Sequence, residues 1–276
     1  MLSPLYGQLS PLRIPTRVAG REVQDSDALA YIAAVESADA QTLEDGVKFA
    51  YEDFIVGCKL DGIWTALKAS CILAGARTLS GALVPLVGTA PTNFNFVSGD
   101  YDRETGLKGN GSTKYLNSNR ANNADPQNSK HIFSHLTEKF ARSGNQSTIG
   151  ISGAGGSGVI QAPGGTTYFQ ANSGLASSSG NGSPYPLGSW GVSRGSSTEI
   201  DFIFKNDGSG YVSVNETGTL AINSLAPIAT NIRVFRTYNS AYSTARLSFY
   251  SIGEDVDLPA LDTRVSTLMT DLAAAI

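Results

Sequence analysis

Two acidic residues, Glu199 and Asp201, have a spacing that suits glycoside hydrolysis. Positions i and i+2 of a strand lie on one face, and glycosidases work with a pair of carboxylates. A glucanase pattern, Glu-x-Asp-x-x-Glu, places the acid partner three residues after the aspartate, where this sequence has Phe204. We therefore expect Glu199 and Asp201 to be structural surface carboxylates. The sequence predicts no catalytic residue and a chain that is not an enzyme.

The two histidines and three neighbouring acids are the candidates for metal ligands. His131 and His135 are four residues apart, which would suit zinc on a helix, but the residues between them indicate a strand and the glutamate of a zincin motif is missing. Asp100, Asp102 and Glu104 alternate as calcium ligands can, yet the distal glutamate of a calcium loop is absent. We predict no metal site and no cofactor, with calcium near Asp100 and Asp102 left open.

Aromatic residues in polar loops are the best candidates for ligand binding. Tyr185, Trp190 and Tyr168 lie in or beside stretches rich in Gly, Ser and Asn. An exposed ring flanked by amides and hydroxyls suits the face of a sugar, so we predict glycan contact through these three residues. The alternative for Trp190 is a core residue at the start of a strand.

Charge and composition exclude several classes of protein. The formal charge is −4 without any Lys/Arg run, which argues against nucleic acid as a partner. The sequence has no stretch of 18 apolar residues and no visible secretory signal, so we expect no membrane insertion and folding in the cytoplasm. Cys58 and Cys71 lie in helix-like sequence and are expected to be free thiols.

The first 88 residues predict an extended arm followed by a helical attachment module. Prolines at positions 4, 11 and 15 favour an extended N-terminus that lies on its own domain or on a neighbouring subunit. Ser26 is a candidate N-cap for a first helix. A second helix is predicted over residues 41–60, and a third near Ile63, with Trp64, Leu67 and Cys71 on one side.

From residue 89 the apolar periodicity changes to two, which predicts a β-sandwich over residues 89–253. Glycine- and serine-rich turns, among them residues 152–158 and 177–183, separate the short apolar runs. The predicted strands are residues 94–97, 114–116, 131–136, 147–151, 166–171, 190–192, 200–204, 211–214, 232–238 and 246–252.

Residues 254–276 predict a short C-terminal helix with Pro259 in its first turn. Leu261, Val265, Leu268 and Leu272 follow an a/d heptad spacing, so we expect them to form an oligomerisation seam between copies of the chain. Two heptads are too few for a free coiled coil, and the alternative is a helix that lies back on the sandwich.

Two segments of the sequence resemble a known fold family. Residues 106–116 (GLKGNGSTKYL) are similar to the opening strand pair of laminin-G and concanavalin A-like jelly rolls, with one extra residue before Tyr115. Residues 246–253 (RLSFYSIG) resemble the closing strand of that fold. The longer stretches 63–116 and 245–276 resemble structural proteins of tailed bacteriophages. The resemblance implies a concanavalin A-like β-sandwich in a virion protein and carries over no catalytic residue.

These observations predict a virion component, either a tail-fibre or a receptor-binding subunit that contacts host-surface glycan. A homotrimer is expected, because fibre proteins of tailed phages are commonly trimeric, and the N-terminal arm would bind other virion proteins. A purely architectural fibre or capsid-decorating protein is the alternative. A polysaccharide-degrading enzyme is the least favoured class, because the paired acids are incomplete.

Overall fold

The computed structural model of the protein describes residues 20–141, 145–161, 167–178, 187–204, 216–237 and 241–276. Most of the predicted N-terminal arm, Tyr185 and the predicted strand at 211–214 lie outside the described residues.

Four helices occur in the described residues, and their ends follow from the local sequence. The carboxylate of Asp25 accepts hydrogen bonds from the backbone N–H groups of Asp27 and Ala28, so the first helix is capped by Asp25 and not by Ser26 as predicted. The last helix begins as predicted, with Pro259 in its first turn. None of these helices is long and apolar enough to cross a bilayer. They are α1 (Ser26–Asp39), α2 (Asp45–Leu60), α3 (Leu79–Ala82) and α4 (Leu258–Ala275).

Fifteen strands form two antiparallel sheets within the described residues. The first sheet has the order β13-β12-β11-β6-β15-β4-β3, and β1 also pairs with β15; the second has the order β10-β9-β8-β7-β14-β5-β2. The strands are β1 (Leu67–Ile72), β2 (Thr92–Phe94), β3 (Tyr101–Asp102), β4 (Gly106–Lys108), β5 (Tyr115–Ala121), β6 (Lys130–Glu138), β7 (Gln146–Ile151), β8 (Gly156–Gln161), β9 (Thr167–Ser173), β10 (Ala176–Ser178), β11 (Gly188–Arg194), β12 (Glu199–Phe204), β13 (Glu216–Ala221), β14 (Asn231–Val234) and β15 (Arg246–Gly253).

The third predicted helix is wrong. After a single 3-10 turn at Trp64–Ala66, the chain extends as β1 and pairs with β15 in the first sheet. Ile72 enters the core on the helical side and Cys71 the core between the sheets, so both faces of this strand are buried. A short apolar run without caps fits a helix or a buried strand equally well, and pairing with β15 decides between them. The segment predicted as part of an attachment module therefore belongs to the sheet.

Two cores hold three layers together. Side chains of both sheets, among them Trp190, Phe169 and Ile232, form the core between the sheets. The other core lies between the outer face of the first sheet and helices α1, α2 and α4, and includes Phe133 and Phe249 from the sheet. The protein is therefore mainly β, with two antiparallel sheets and a C-terminal helix, as the sequence predicted.

The predicted oligomerisation seam lies inside the chain. Leu261, Val265, Leu268 and Leu272 are at most 1% exposed in a single copy and join the core beneath α2. Glycine at position 57 of α2 allows the close approach, since a Cβ there would lie 2.8 Å from the Arg264 side chain. An a/d stripe can pack on a helix of its own chain as well as on a helix of another copy. The helix of its own chain has the higher effective concentration, because the two are covalently linked. The prediction of an intermolecular seam is corrected, and the alternative of a helix lying back on the fold holds.

Candidate binding surface

Trp190 is a core residue and not a ligand-binding residue, which corrects the prediction. It is fully buried in β11, with its ring centre 5.5 Å from that of Phe140 and 4.6 Å from that of Phe204. Tyr168 lies half-buried on β9, opposite Ser177 of β10 and Ile160 of β8. Its contact with glycan stays a prediction, as does that of Tyr185, which lies outside the described residues.

The acids considered for calcium are engaged with neighbouring groups. Asp100 pairs with Lys114 and accepts a hydrogen bond from the backbone N–H of Val97. Asp102 accepts three hydrogen bonds from Glu104 and Thr105, which lowers the pKa of its carboxyl, with the Thr105 hydroxyl as the largest cause. In the part of the chain that the structure describes, no three His, Cys, Asp or Glu side chains group to hold a metal ion.

The two histidines are bound within the first sheet. His131 is fully buried, its Nδ1 contacts the Glu254 carbonyl oxygen, and its Nε2 lies 2.8 Å from Oγ of Ser251. Burial lowers the pKa of His131 to about 4, so the ring is neutral at pH 7. Nδ1 of His135 lies 2.8 Å from Oγ of Ser248.

Glu199 and Asp201 are exposed on β12 as expected, and Asp201 lines a groove of about 480 Å³. Asp255 and Asp257, which precede α4, also line this groove. Each aspartate holds a local hydrogen bond: Asp201 accepts from Thr219 Oγ1, Asp255 from Ser193 Oγ, and Asp257 caps α4. The fold thus brings Asp201 together with Asp255 and Asp257, although no sequence pattern connects them.

A cluster of three aromatic rings and two guanidinium groups lies on the outer face of the second sheet. It consists of Phe94, Tyr115, Tyr242, Arg233 and Arg236, and we call it the aromatic–arginine surface. The rings of Phe94 and Tyr115 are stacked, with centres 4.4 Å apart and planes inclined by 6°. Tyr242 meets Tyr115 edge-on at 6.3 Å. Phe94 is 36% exposed and the other four residues are partly exposed, so the cluster is open to a ligand.

The register of β2, β5 and β14 positions this surface. Phe94 lies directly opposite Tyr115, while Leu116, the next residue of β5, points into the core between the sheets. Side chains alternate across a strand, so Tyr115 and Asn117 share the outer face. Arg233 of β14 lies opposite Asn117. Arg233 therefore lies beside the stacked rings, next to the cross-strand pair that follows Phe94 and Tyr115.

A backbone irregularity at the end of β14 places the second arginine. Phe235 has a φ of 67°, which is unusual for a bulky residue, and its buried ring lies 5.0 Å from that of Phe96. The chain then forms an isolated antiparallel bridge between Arg236 and Tyr242. Packing of Phe235 thus holds a backbone conformation that costs about 1–3 kcal/mol and sets Arg236 against Tyr242.

The two guanidinium groups lie over tyrosine rings. The Arg236 guanidinium carbon is 5.0 Å from the centre of the Tyr115 ring and 4.6 Å from that of Tyr242, and the Arg233 carbon is 5.8 Å from Tyr115. Cations at such distances are attracted to the ring faces. Neither arginine has an ion-pair partner among the described residues, although neighbouring Lys114 pairs with Asp100. The Nε atom of Arg236 is buried and has no hydrogen-bond partner.

Sequence reasoning placed residues 94 and 115 in strands but missed the surface that they form. Positions 94, 115, 233, 236 and 242 are scattered over three strands and an isolated bridge, so only the register brings them together. The available signal was the outward position of Tyr115, which precedes core residue Leu116 in an alternating strand.

Comparison with known proteins gives weak structural likenesses only. No protein-family model and no curated protein matches the chain. Solved structures similar to it include the enzymatically active domain of bacteriophage CBA120 tailspike protein 2 (TM-score 0.38, 12% identity, 66% of this chain and 29% of that one). Others are Trypanosoma rangeli sialidase (0.46, 11%, 88% and 38%) and the binding domain of botulinum neurotoxin serotype D (0.46, 10%, 73% and 51%). The chain thus spans about a third to a half of these proteins.

These comparisons contradict the prediction that the chain is not an enzyme, because they include an enzymatically active tailspike domain and a sialidase. That prediction rested on linear patterns, chiefly the one that Phe204 interrupts, and a linear pattern is no test of acids that come from different segments. The prediction is withdrawn. The scores, all below 0.5, transfer no catalytic residue to this chain.

Proposed function

We propose that the chain is a tail-associated component of a bacteriophage particle that contacts glycan on the host surface. The observation that carries glycan contact is the exposed stacked pair of Phe94 and Tyr115. The apolar C–H face of a sugar ring packs on such rings, while neighbouring polar groups bind its hydroxyls. Thr92 and Asn117, opposite each other on β2 and β5, supply polar groups beside the rings.

The phage setting rests on the sequence resemblance, and with it we propose a sandwich of the concanavalin A-like class. Strands β4 and β6 belong to the first sheet and β5 and β7 to the second, so the chain crosses between the sheets at each step. It crosses again between β14 of the second sheet and β15 of the first, which supports a jelly-roll arrangement. Attachment to the particle through the N-terminal arm and assembly as a homotrimer belong to the same proposal. The trimer would form through contacts other than the α4 seam, which is buried within the chain.

Binding of the purified full chain to a panel of immobilised bacterial surface polysaccharides tests this function. Phe94→Ala should weaken binding about tenfold, since an aromatic contact contributes up to about 1.5 kcal/mol. Leu60→Ala is the matched control, because Leu60 is 78% exposed on α2, in the helical layer. Thermal unfolding should show that both variants keep the fold.

Absence of binding by the wild type, or equal binding by Phe94→Ala, would contradict glycan contact at this surface. In the first case the alternative of a purely architectural virion protein would stand.

A further inference from the structure

We infer that the glycan bound at the aromatic–arginine surface is anionic, carries carboxylate groups, and is recognised by Arg233 and Arg236. This inference rests on the proposed function and adds the chemical class of the ligand. It is carried by the two arginines, whose charge no described carboxylate neutralises.

The distribution of charge sets these arginines apart. The chain carries a formal charge of −4, and most basic residues of the described part pair with a carboxylate, such as Arg103 with Glu44 and Arg246 with Glu138. Arg194, which is buried, binds three backbone carbonyls instead. Arg233 and Arg236 are partly exposed and unpaired among the described residues. Two free cations on one face of an acidic protein form a local site for an anion.

The two charges lie close enough together to act on one ligand. Both guanidinium carbons are within 6 Å of the centre of the Tyr115 ring, at 5.0 and 5.8 Å. The two guanidinium carbons are therefore at most about 11 Å apart (5.0 plus 5.8 Å), and an anion bound between two like charges relieves their repulsion. We expect a carboxylate on a glycan that packs against the exposed Phe94 ring to reach this pair of arginines.

The contacts of Arg236 leave its hydrogen-bonding capacity available. The rings of Tyr115 and Tyr242 engage the face of the guanidinium, whereas its N–H donors lie in the plane of the group. The Nε donor is buried and closed to a ligand, which leaves the two terminal Nη groups as the donors that a ligand can reach. Planar guanidinium donors match the two oxygens of a carboxylate, and such charged hydrogen bonds are stronger than neutral ones. The tyrosines hold the guanidinium in place, and its Nη donors are left for the ligand.

A purely structural role for the arginines makes a different prediction. Cation–π contacts alone would make Arg233 and Arg236 matter for stability and leave the charge of the ligand without effect. The two roles therefore separate on whether binding depends on carboxylates in the glycan.

The experiment compares a uronic-acid polysaccharide with its carboxyl-reduced, neutral form, both titrated with the full chain. We expect the wild type to bind the carboxylated polymer at least tenfold more tightly, with affinity falling as salt is raised. Arg233→Gln and Arg236→Gln should each weaken binding to the carboxylated polymer about tenfold or more and change binding to the reduced polymer little. Lys68→Gln is the control, since it removes a charge from a partly exposed pair with Glu254.

The outcomes separate this inference from the proposed function. Equal binding of both polymers, or unchanged carboxylate preference in both arginine variants, would overturn the inference and leave glycan binding intact. Loss of binding to both polymers in Phe94→Ala supports the glycan surface independently of charge. Failure of the wild type to bind either polymer or any other glycan would overturn both.

Discussion

The neutral, buried His131 predicts a specific dependence of stability on pH. Burial is the main cause that lowers its pKa from 6.5 to about 4, against the effect of the hydrogen bond at the Glu254 carbonyl. A carbonyl oxygen only accepts, so Nδ1 carries the proton and Nε2 accepts from the Ser251 hydroxyl. The neutral ring therefore satisfies both of its nitrogens inside the sheet, whereas the protonated ring places a charge in a buried site.

The size of the effect follows from the two pKa values. At pH 7 the ring is neutral in the folded and the unfolded chain, and its full contribution is present. As the pH falls below 6.5, the unfolded chain binds a proton that the folded chain does not, so the free energy of unfolding decreases until about pH 4. A pKa difference of this size corresponds to a loss of about 3 kcal/mol.

Urea unfolding between pH 7.5 and pH 4 measures this loss. His131→Asn retains a donor for the Glu254 carbonyl but does not titrate, so we expect lower stability at pH 7 and a decline toward pH 4 that is about 3 kcal/mol smaller than in the wild type. Ile132→Val, at the buried neighbouring position, is the matched control and should lose about 1 kcal/mol equally at every pH. Parallel pH profiles for the wild type and His131→Asn would refute the reasoning.

Two further predictions concern buried contacts. Leu268→Ala should lower the free energy of unfolding by about 2–5 kcal/mol, because Leu268 is buried. The control Thr270→Ala, on the exposed side of α4, should change it by less than about 0.5 kcal/mol. Dissociation of an oligomer by Leu268→Ala at unchanged stability would contradict this prediction. Lys130→Met should cost about 1–3 kcal/mol, because it removes the Nζ that lies 2.6 Å from the buried Asp125 carboxylate while Arg120 still pairs with that carboxylate. Asp125→Leu should then cost less in the Lys130→Met chain than alone, and additive losses in chemical denaturation would show that the pair is not coupled.

Local periodicity was sufficient for much of the fold. The apolar patterns of residues 131–136 and 246–252 predicted strands that the structure extends by one or two residues. The heptad spacing of the tail predicted α4 correctly but not its partner, since the stripe carries no information on which chain supplies the facing helix.

The glycine-rich composition gave a wrong prediction where glycines lie in a strand and not in a loop. Residues 152–158 were predicted as a turn, yet β8 begins at Gly156. Gly150 and Gly158 lie opposite each other in β7 and β8, and a Cβ at Gly150 would lie 2.5 Å from the Gly158 Cα. Glycine at position 150 is needed for this close approach of two backbones, which composition alone does not reveal.

Long-range partners were beyond sequence reasoning. Arg194 donates to the carbonyls of Ala171, Ser196 and Ile222, which come from separate strands and loops. The aromatic–arginine surface likewise depends on β5 pairing with β2 on one side and β14 on the other. A single sequence contains no signal for such pairings, since each residue type is ordinary in its own segment.

The position of β15 has a consequence for how the protein is made. This strand pairs with β6 on one side and with β4 and β1 on the other, so the last strand of the chain fills the middle of the first sheet. Cys71 and Tyr250, which face each other across β1 and β15, are 179 residues apart. During translation, the edges of β1, β4 and β6 that pair with β15 stay unpaired until residue 253 has been synthesised. Pairing over such sequence distances is slow. We expect chains truncated before Arg246 to aggregate unless chaperones cover those edges.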